Sequence, residues 1–354
     1  MKKLTSKQFV FIIWAVTIVS LKTYPTIFIH DGKRDTWLIV ILASIIIFLY
    51  FIFTIKVFRK TKCYDLYTIY CKSVGKIAGN ILYGFFLFTL FLTLIECSGI
   101  ESSSMHTNLL LETPIWYLVL FFTIPAIFSV KNGDNSILIT TIIGLVLMII
   151  AGINLGILTA KYKNYKYLFP ILENGINKSS LTCLLKVLGL YSHITICFVY
   201  IKSITNKNKL LKSGIWALLF VIQMEIVSTI GVLTTFQLER AENLIYPKLI
   251  QTQLISYWRF LESGEFFVML QTLGGWYIKY IIIFDILIKS LKSFNIKNKY
   301  LIYILTIPVI IITIYIANNL FRFMLYLNIY SYICLINFLI VPFILFVIFF
   351  IKHK

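Results

Sequence analysis

The sequence predicts an all-α polytopic membrane protein: about ten spanning helices in a single transmembrane domain over 1–354, arranged as two sets of five. Three observations carry this. Of 354 residues, 59% are hydrophobic and 13% charged, with a mean hydropathy of +0.89, a usage that excludes an ordinary soluble domain. Apolar runs of about 20 residues, each long enough for a ~30 Å hydrocarbon core, recur from end to end. The runs are continuous rather than alternating, so they satisfy their backbone polar groups as helices and not as barrel strands.

Taken in order, the first span covers 8–29, and the start Met-Lys-Lys-Leu-Thr-Ser-Lys before it reads like a signal-peptide n-region. The apolar stretch that follows is too long for a signal peptide and has no small-residue cleavage site, so it is read as a retained span. Spans at 36–57, 80–103, 114–130 and 136–159 complete the first set. Spans at 187–203, 213–236, 265–289, 299–318 and 328–351 form the second, so the two sets lie within about 8–159 and 187–351.

The net charge of +19 is mostly topology. The N-terminus, even-numbered loops and C-terminus hold about 20 Lys and Arg and the odd-numbered loops about 11, which by the positive-inside tendency places both termini in the cytoplasm. Lys56, Arg59, Lys60 and Lys62 after span 2, and Lys202, Lys207, Lys209 and Lys212 after span 6, are the clearest anchors. The basic excess therefore points to the lipid bilayer as partner and not to nucleic acid. The six cysteines form no CxxC pair and have no histidines at metal spacing, so no metal site, cofactor or structural disulfide is expected.

Two spans are interrupted. Ser20-Leu21-Lys22-Thr23-Tyr24-Pro25 breaks span 1, and Gly189-Leu190-Tyr191-Ser192-His193 breaks span 6, the first helix of the second set. Breaks at matching positions in two halves mark an inverted repeat, whose half-helix ends bind ligand near the midplane. At ~1.5 Å per residue, Lys22, Glu96 and His193 fall in the outer half of the membrane and Glu225 near its middle. They converge on one cavity open to the outside. A charge at the centre of a span costs roughly 2.5–3.5 kcal/mol, so Lys22 needs an acidic partner, Glu96 first and Glu225 second, or its stem snorkels to the interface. Glu101 reads as an interfacial carboxylate, and Lys279 as turned towards Asp285 or the cytoplasmic face. Lys22 and half-helix N-termini both favour a carboxylate, so the ligand expected is small and zwitterionic or anionic.

Two outer loops, Tyr162 to Lys186 and Gln237 to Glu262, carry apolar residues at helical spacing and read as lids, the second including Trp258-Arg259-Phe260-Leu261-Glu262. An enzyme is not expected. The four histidines, at 30, 106, 193 and 353, are scattered with no nucleophile and base arrangement, and no Gly-rich phosphate loop occurs.

Ser6-Lys7-Gln8-Phe9, the Tyr24-Pro25 pair, and Tyr246-Pro247-Lys248-Leu249-Ile250 leading to Arg259-Phe260-Leu261-Glu262-Ser263-Gly264-Glu265 resemble the B subunits of spore germinant receptors. That family lies within the amino acid–polyamine–organocation transporters. The resemblance implies a leucine-transporter-like 5+5 bundle in the spore inner membrane. It would be a nutrient sensor working with a membrane-bound A subunit and a lipoprotein C subunit, and it would bind a small nutrient such as an amino acid. Its pocket, between spans 1, 3, 6 and 8, would include Thr23, Tyr24, Glu96, Ser98, Tyr191, Ser192, Leu273 and Gly274. Many relatives carry small residues, often glycine, at the first break; Ser20-Leu21-Lys22-Thr23 stands there in this chain, a fixed charge in place of a movable ion, which fits a sensor that need not transport. The alternative is a secondary transporter of amino acids or amines, coupled to protons through Glu225 or His193.

Overall fold

A computed structural model describes residues 3–173, 175–257, 261–262, 265–296, 298 and 300–353, with the backbone alone described at 256–257, 261–262 and 265–266. Eight helices are long and apolar enough to cross a membrane, and two shorter apolar ones, Ile115–Lys131 and Leu301–Ala317, bring the spans among the described residues to ten.

Span 1 is two helices, α1 (Ser6–Thr23) and α2 (Thr26–Gly32). Thr5 and Gln8 start α1 with a reciprocal capping box, which satisfies two otherwise orphaned donors. Pro25 stops it, because a proline has no N–H to continue the ladder. Span 2 is α3 (Thr36–Thr61), ending where Lys62 turns left-handed at φ 53°. A short helix α4 (Leu66–Val74) follows, its first turn capped by Asp65 accepting from the Thr68 N–H at 3.1 Å. Gly75, at φ +91°, makes the corner into α5 (Lys76–Asn108), span 3; only glycine takes that conformation without strain. Spans 4 and 5 are α6 (Ile115–Lys131) and α7 (Gly133–Leu158).

The second set begins with α8 (Lys178–Tyr191), which passes at Ser192 into a 3₁₀ segment running to Ser203. The second break therefore falls where the sequence places it, as a change of helix type. Span 7 is α9 (Leu210–Thr235); α10 (Leu238–Asn243) and α11 (Pro247–Gln253) follow on the far side. Span 8 is α12 (Glu265–Leu291), span 9 α13 (Leu301–Ala317), and span 10 runs through α14 (Leu320–Cys334), a π-helical turn at Leu335–Ile340 and α15 (Val341–Lys352). The turn widens the helix just before Pro342, whose missing N–H the ladder must accommodate.

Leu4 bridges Ile204 and Lys352 Nζ donates to the Ser73 carbonyl at 2.7 Å, so both termini pack among the loops of one membrane face. At the opposite face the two long loops are helical in part, with 3₁₀ turns at 160–162 and 165–168 besides α10 and α11. The second departs from helical spacing at its end: Leu261–Glu262 pairs as a two-residue antiparallel strand with Ser256–Tyr257, while residues 258–260 and 263–264 of the motif lie outside the described residues. Bulky apolar side chains exposed on α3, α5, α6, α7 and α13, among them Leu49, Phe88, Phe121, Ile153 and Ile311, form the face that meets lipid. Span 6 is the most deeply buried, with spans 1, 3 and 8 next and alike: α1 packs against α9 and α12 and also touches the 3₁₀ segment.

Candidate functional site

The centre of the bundle is built on Glu96 of α5, which is fully buried. Lys279 of α12, equally buried, donates to Glu96 Oε2 at 2.7 Å and also to Ser20 Oγ; Ser20 donates to Glu96 Oε1 at 2.9 Å, and the Tyr24 hydroxyl to the same oxygen. The Lys279 ammonium also lies 5.0 Å from the centre of the Trp276 ring, and Trp276 stacks on Tyr24. From span 10, Tyr330 Oη stands 3.1 Å from Glu96 Oε2, 2.8 Å from Thr93 Oγ1 and 2.8 Å from His193 Nε2. His193 Nδ1 faces the Leu190 carbonyl, which holds the ring in the break of span 6, and its Nε2 lies 3.9 Å from Glu96. A buried charge is tolerated when it is paired and its remaining lone pairs are bonded. Glu96 meets both conditions, and in doing so ties spans 1, 3, 8 and 10 together.

Nearer the face that carries the termini is a second polar cluster. Lys289 pairs with Asp285 one helical turn away and with Asp134 of α7, and Tyr200 of the 3₁₀ segment donates to Asp285 at 2.6 Å. Spans 5, 6 and 8 are held together there.

A further space lies towards the opposite face. A cavity of about 120 Å³ is bounded by α1, α7, α9, α11 and α12. Lys22 and Thr23 line it from the end of α1, Thr159 and Lys163 from the connection after α7, Lys248 and Gln251 from α11, and Gln271 from α12. Lys22 Nζ donates to Gln271 Oε1 at 3.3 Å, and Lys248 Nζ to Gln251 Oε1 at 3.2 Å. Gln251 is itself anchored by donating to the Gly231 carbonyl at 3.1 Å and to Thr235 at 2.7 Å. Burial, and then the like charges of Lys22 and Lys163, push the Lys248 ammonium down to about 7, with the carboxylate of Glu225 acting against them.

The positions singled out in the sequence thus divide. Tyr24, Glu96 and His193 meet in the central network, and Lys22 and Thr23 line the cavity. Tyr191 turns to span 2, its hydroxyl 2.7 Å from Ser44; Ser98 turns to span 9, 2.9 Å from Thr313; Ser192 donates to the Cys334 carbonyl of span 10 at 3.1 Å. Leu273 is 39% exposed and Gly274 packs towards Met148, so neither reaches the network. Glu225 is buried beside the cavity with Oε1 lacking a hydrogen-bond partner among the described residues.

Three expectations are corrected. Glu96 pairs with Lys279 and not with Lys22: successive helical residues are about 100° apart, so Ser20 and Lys22 point to nearly opposite sides of α1, one at Glu96 and the other at the cavity. Lys279 does not turn to Asp285, because six residues along a helix place the two on different faces; Asp285 takes Lys289, four residues on. Glu101 is not interfacial but 3% exposed, with both carboxylate oxygens unpartnered among the described residues. Lys279, Tyr330, Lys163, Gln251 and Gln271 are the functional candidates that sequence reasoning missed.

A bundle with breaks in its first and sixth spans, a central polar network and a cavity among α1, α7, α9, α11 and α12 has the leucine-transporter type of fold. The solved structure of MhsT in complex with L-phenylalanine superposes over 100% of both chains with a TM-score of 0.63 at 13% identity. A Na+-coupled sialic acid symporter in a substrate-bound outward-open state superposes over 93% of this chain and 74% of its own, with a TM-score of 0.57 at 12% identity. At those identities the likeness is one of fold. Residues 3–322 match the family described as spore germination protein, and the chain belongs to that family. Spore germination protein XB of Bacillus anthracis is 25% identical over 259 residues, 72% of this chain and 71% of that protein.

Proposed function

We propose that this protein is the nutrient-binding B subunit of a germinant receptor in the spore inner membrane. A small nutrient, of amino-acid type, enters the cavity from the outer face, and the resulting shift of the bundle is read by a membrane-bound A subunit and a lipoprotein C subunit. One observation carries the reading: the cavity lies on the face away from the termini, while the Glu96–Lys279 network and the Asp285–Lys289–Asp134 cluster join the spans between it and the other face.

Lys279 supports a sensor over a metal-ion-coupled pump. Its ammonium is tethered to α12 and bonded to Ser20 and Glu96, so Glu96 is neutralised without a transported metal cation. Ligand acts by binding one arrangement of α1 and α12 more tightly than another, the only way a ligand shifts a conformational equilibrium. Thr23 and Lys22 at the end of α1 touch the ligand; Ser20 and Tyr24, on the same stretch of backbone, carry the movement to Glu96.

Deleting the gene and scoring spore germination against single amino acids, with uptake followed in growing cells, tests this. Germination to particular nutrients is lost while uptake stays intact. Lost uptake with normal germination would instead identify a secondary transporter of amino acids or amines.

A further inference from the structure

The cavity has a composition that the seal beneath it does not explain. Three ammonium groups, Lys22, Lys163 and Lys248, line it from three separate parts of the chain, and among the described residues no carboxylate does. Each ammonium has three donors, yet Lys22 and Lys248 each make one hydrogen bond among those described, a long one to a glutamine. Glu225 is buried behind this wall and forms no ion pair with a lysine among the described residues, although the charges of Lys22 and Lys248 act on it. With the lysines protonated, the site holds an excess of two positive charges even if Glu225 is counted as a carboxylate. The rest of the lining is largely apolar, with Val19, Met148, Leu155 and Val268 among it, which suits a carbon skeleton better than a bare inorganic ion.

We propose that the cavity binds a small organic dicarboxylate, an acidic amino acid or a diacid of similar length, with one carboxylate held by Lys22 and the other by Lys248 and Lys163. Gln271 and Gln251, already bonded to two of these ammonium groups, hold them in place as positioning residues. This deepens the nutrient-sensor reading and rests on it for its biological meaning, but the binding site itself does not depend on any partner subunit.

Binding carries a pH signature. The groups that act on Lys248 are Lys22 of α1, Lys163 of the α7–α8 connection and Glu225 of α9. A dianion binds the protonated ammonium, so binding takes up a proton when Lys248 is neutral beforehand, and affinity falls as pH rises through about 7.

The test is calorimetric titration of the full chain, purified in detergent, with L-glutamate and succinate as probes and L-alanine and putrescine as comparisons. The expected result is that at least one diacid binds, more tightly at pH 6 than at pH 8.5, and that Lys248→Met weakens it about tenfold or more, as loss of a charge-assisted bond does. Should Lys248→Met fail to give folded protein, Lys163→Gln at the cavity edge carries the same expectation. Diacid binding unchanged in a folded variant, absence of diacid binding, or equal binding of L-alanine or putrescine would each overturn the inference. Diacid binding by a protein whose deletion leaves germination normal would keep the site and overturn the sensor; lost germination without diacid binding would do the reverse.

Discussion

At the residue scale, Glu96 and Lys279 bear the most. Both are fully buried and 2.7 Å apart, and removing one member of such a pair leaves a charge without compensation at a cost of about 3–5 kcal/mol. Glu96→Gln and Lys279→Met should each lower the thermal midpoint of the purified protein strongly, and the double variant should recover part of the loss; strictly additive losses would mean that the two charges do not act on each other. The sequence made Glu96 legible, because a carboxylate well inside a span demands a partner. It did not make Lys279 legible. Asp285 lies closer along the chain, and only the helical angle between the two, together with the approach of α12 to α5, separates them. Lys163 was hidden for another reason, since a lysine in a loop reads as a topology signal; Lys248 stood in the sequence only within a family motif, and nothing local says that α11 folds over the mouth of a cavity.

At the scale of elements, the two breaks were the clearest signal in the chain, since a lysine beside Tyr24-Pro25 and a glycine followed by Tyr-Ser-His do not continue an apolar helix without a reason. The structure gives each its own form. Span 1 parts into α1 and α2 at a proline, whereas span 6 passes without a gap from α-helix into 3₁₀. Gly189, at the second break, is where α8 meets α14: a Cβ there would lie 2.0 Å from the Ser331 carbonyl oxygen. Gly189→Ala should therefore cost more than the roughly 1–3 kcal/mol usual for overpacking, seen as loss of monodisperse protein on size-exclusion chromatography. Gly84→Ala, with nothing within 4 Å of the added carbon, should leave the elution profile unchanged. The strand pair at 256–257 and 261–262 was not legible, because two-residue strands carry no periodicity to read.

At the scale of the molecule, ten spans among the described residues, both termini at one face and a cavity opening towards the other leave the Glu96 network between them. Span number follows directly from hydropathy, since each run had to be long enough to cross; which spans touch does not, because apolar helices carry little pairing information beyond small residues and buried polar ones. The opening is testable by labelling. A cysteine at Lys163, half-buried at the cavity, should react with a membrane-impermeant maleimide from the face opposite the termini, above the background of the six native cysteines, and one at Ser20, within the Glu96 network, should not; equal labelling of both would show that the network does not close the path. If the cavity is where the nutrient is read, Lys22 is the residue through which it is felt. The most direct measurement is the germination dose–response of spores whose chromosomal gene carries Lys22→Met, with protein level followed by immunoblot. A cavity-based receptor predicts normal protein level and a shift of the half-maximal nutrient concentration by about tenfold or more, as loss of one charged contact gives; an unchanged curve at normal protein level would contradict it.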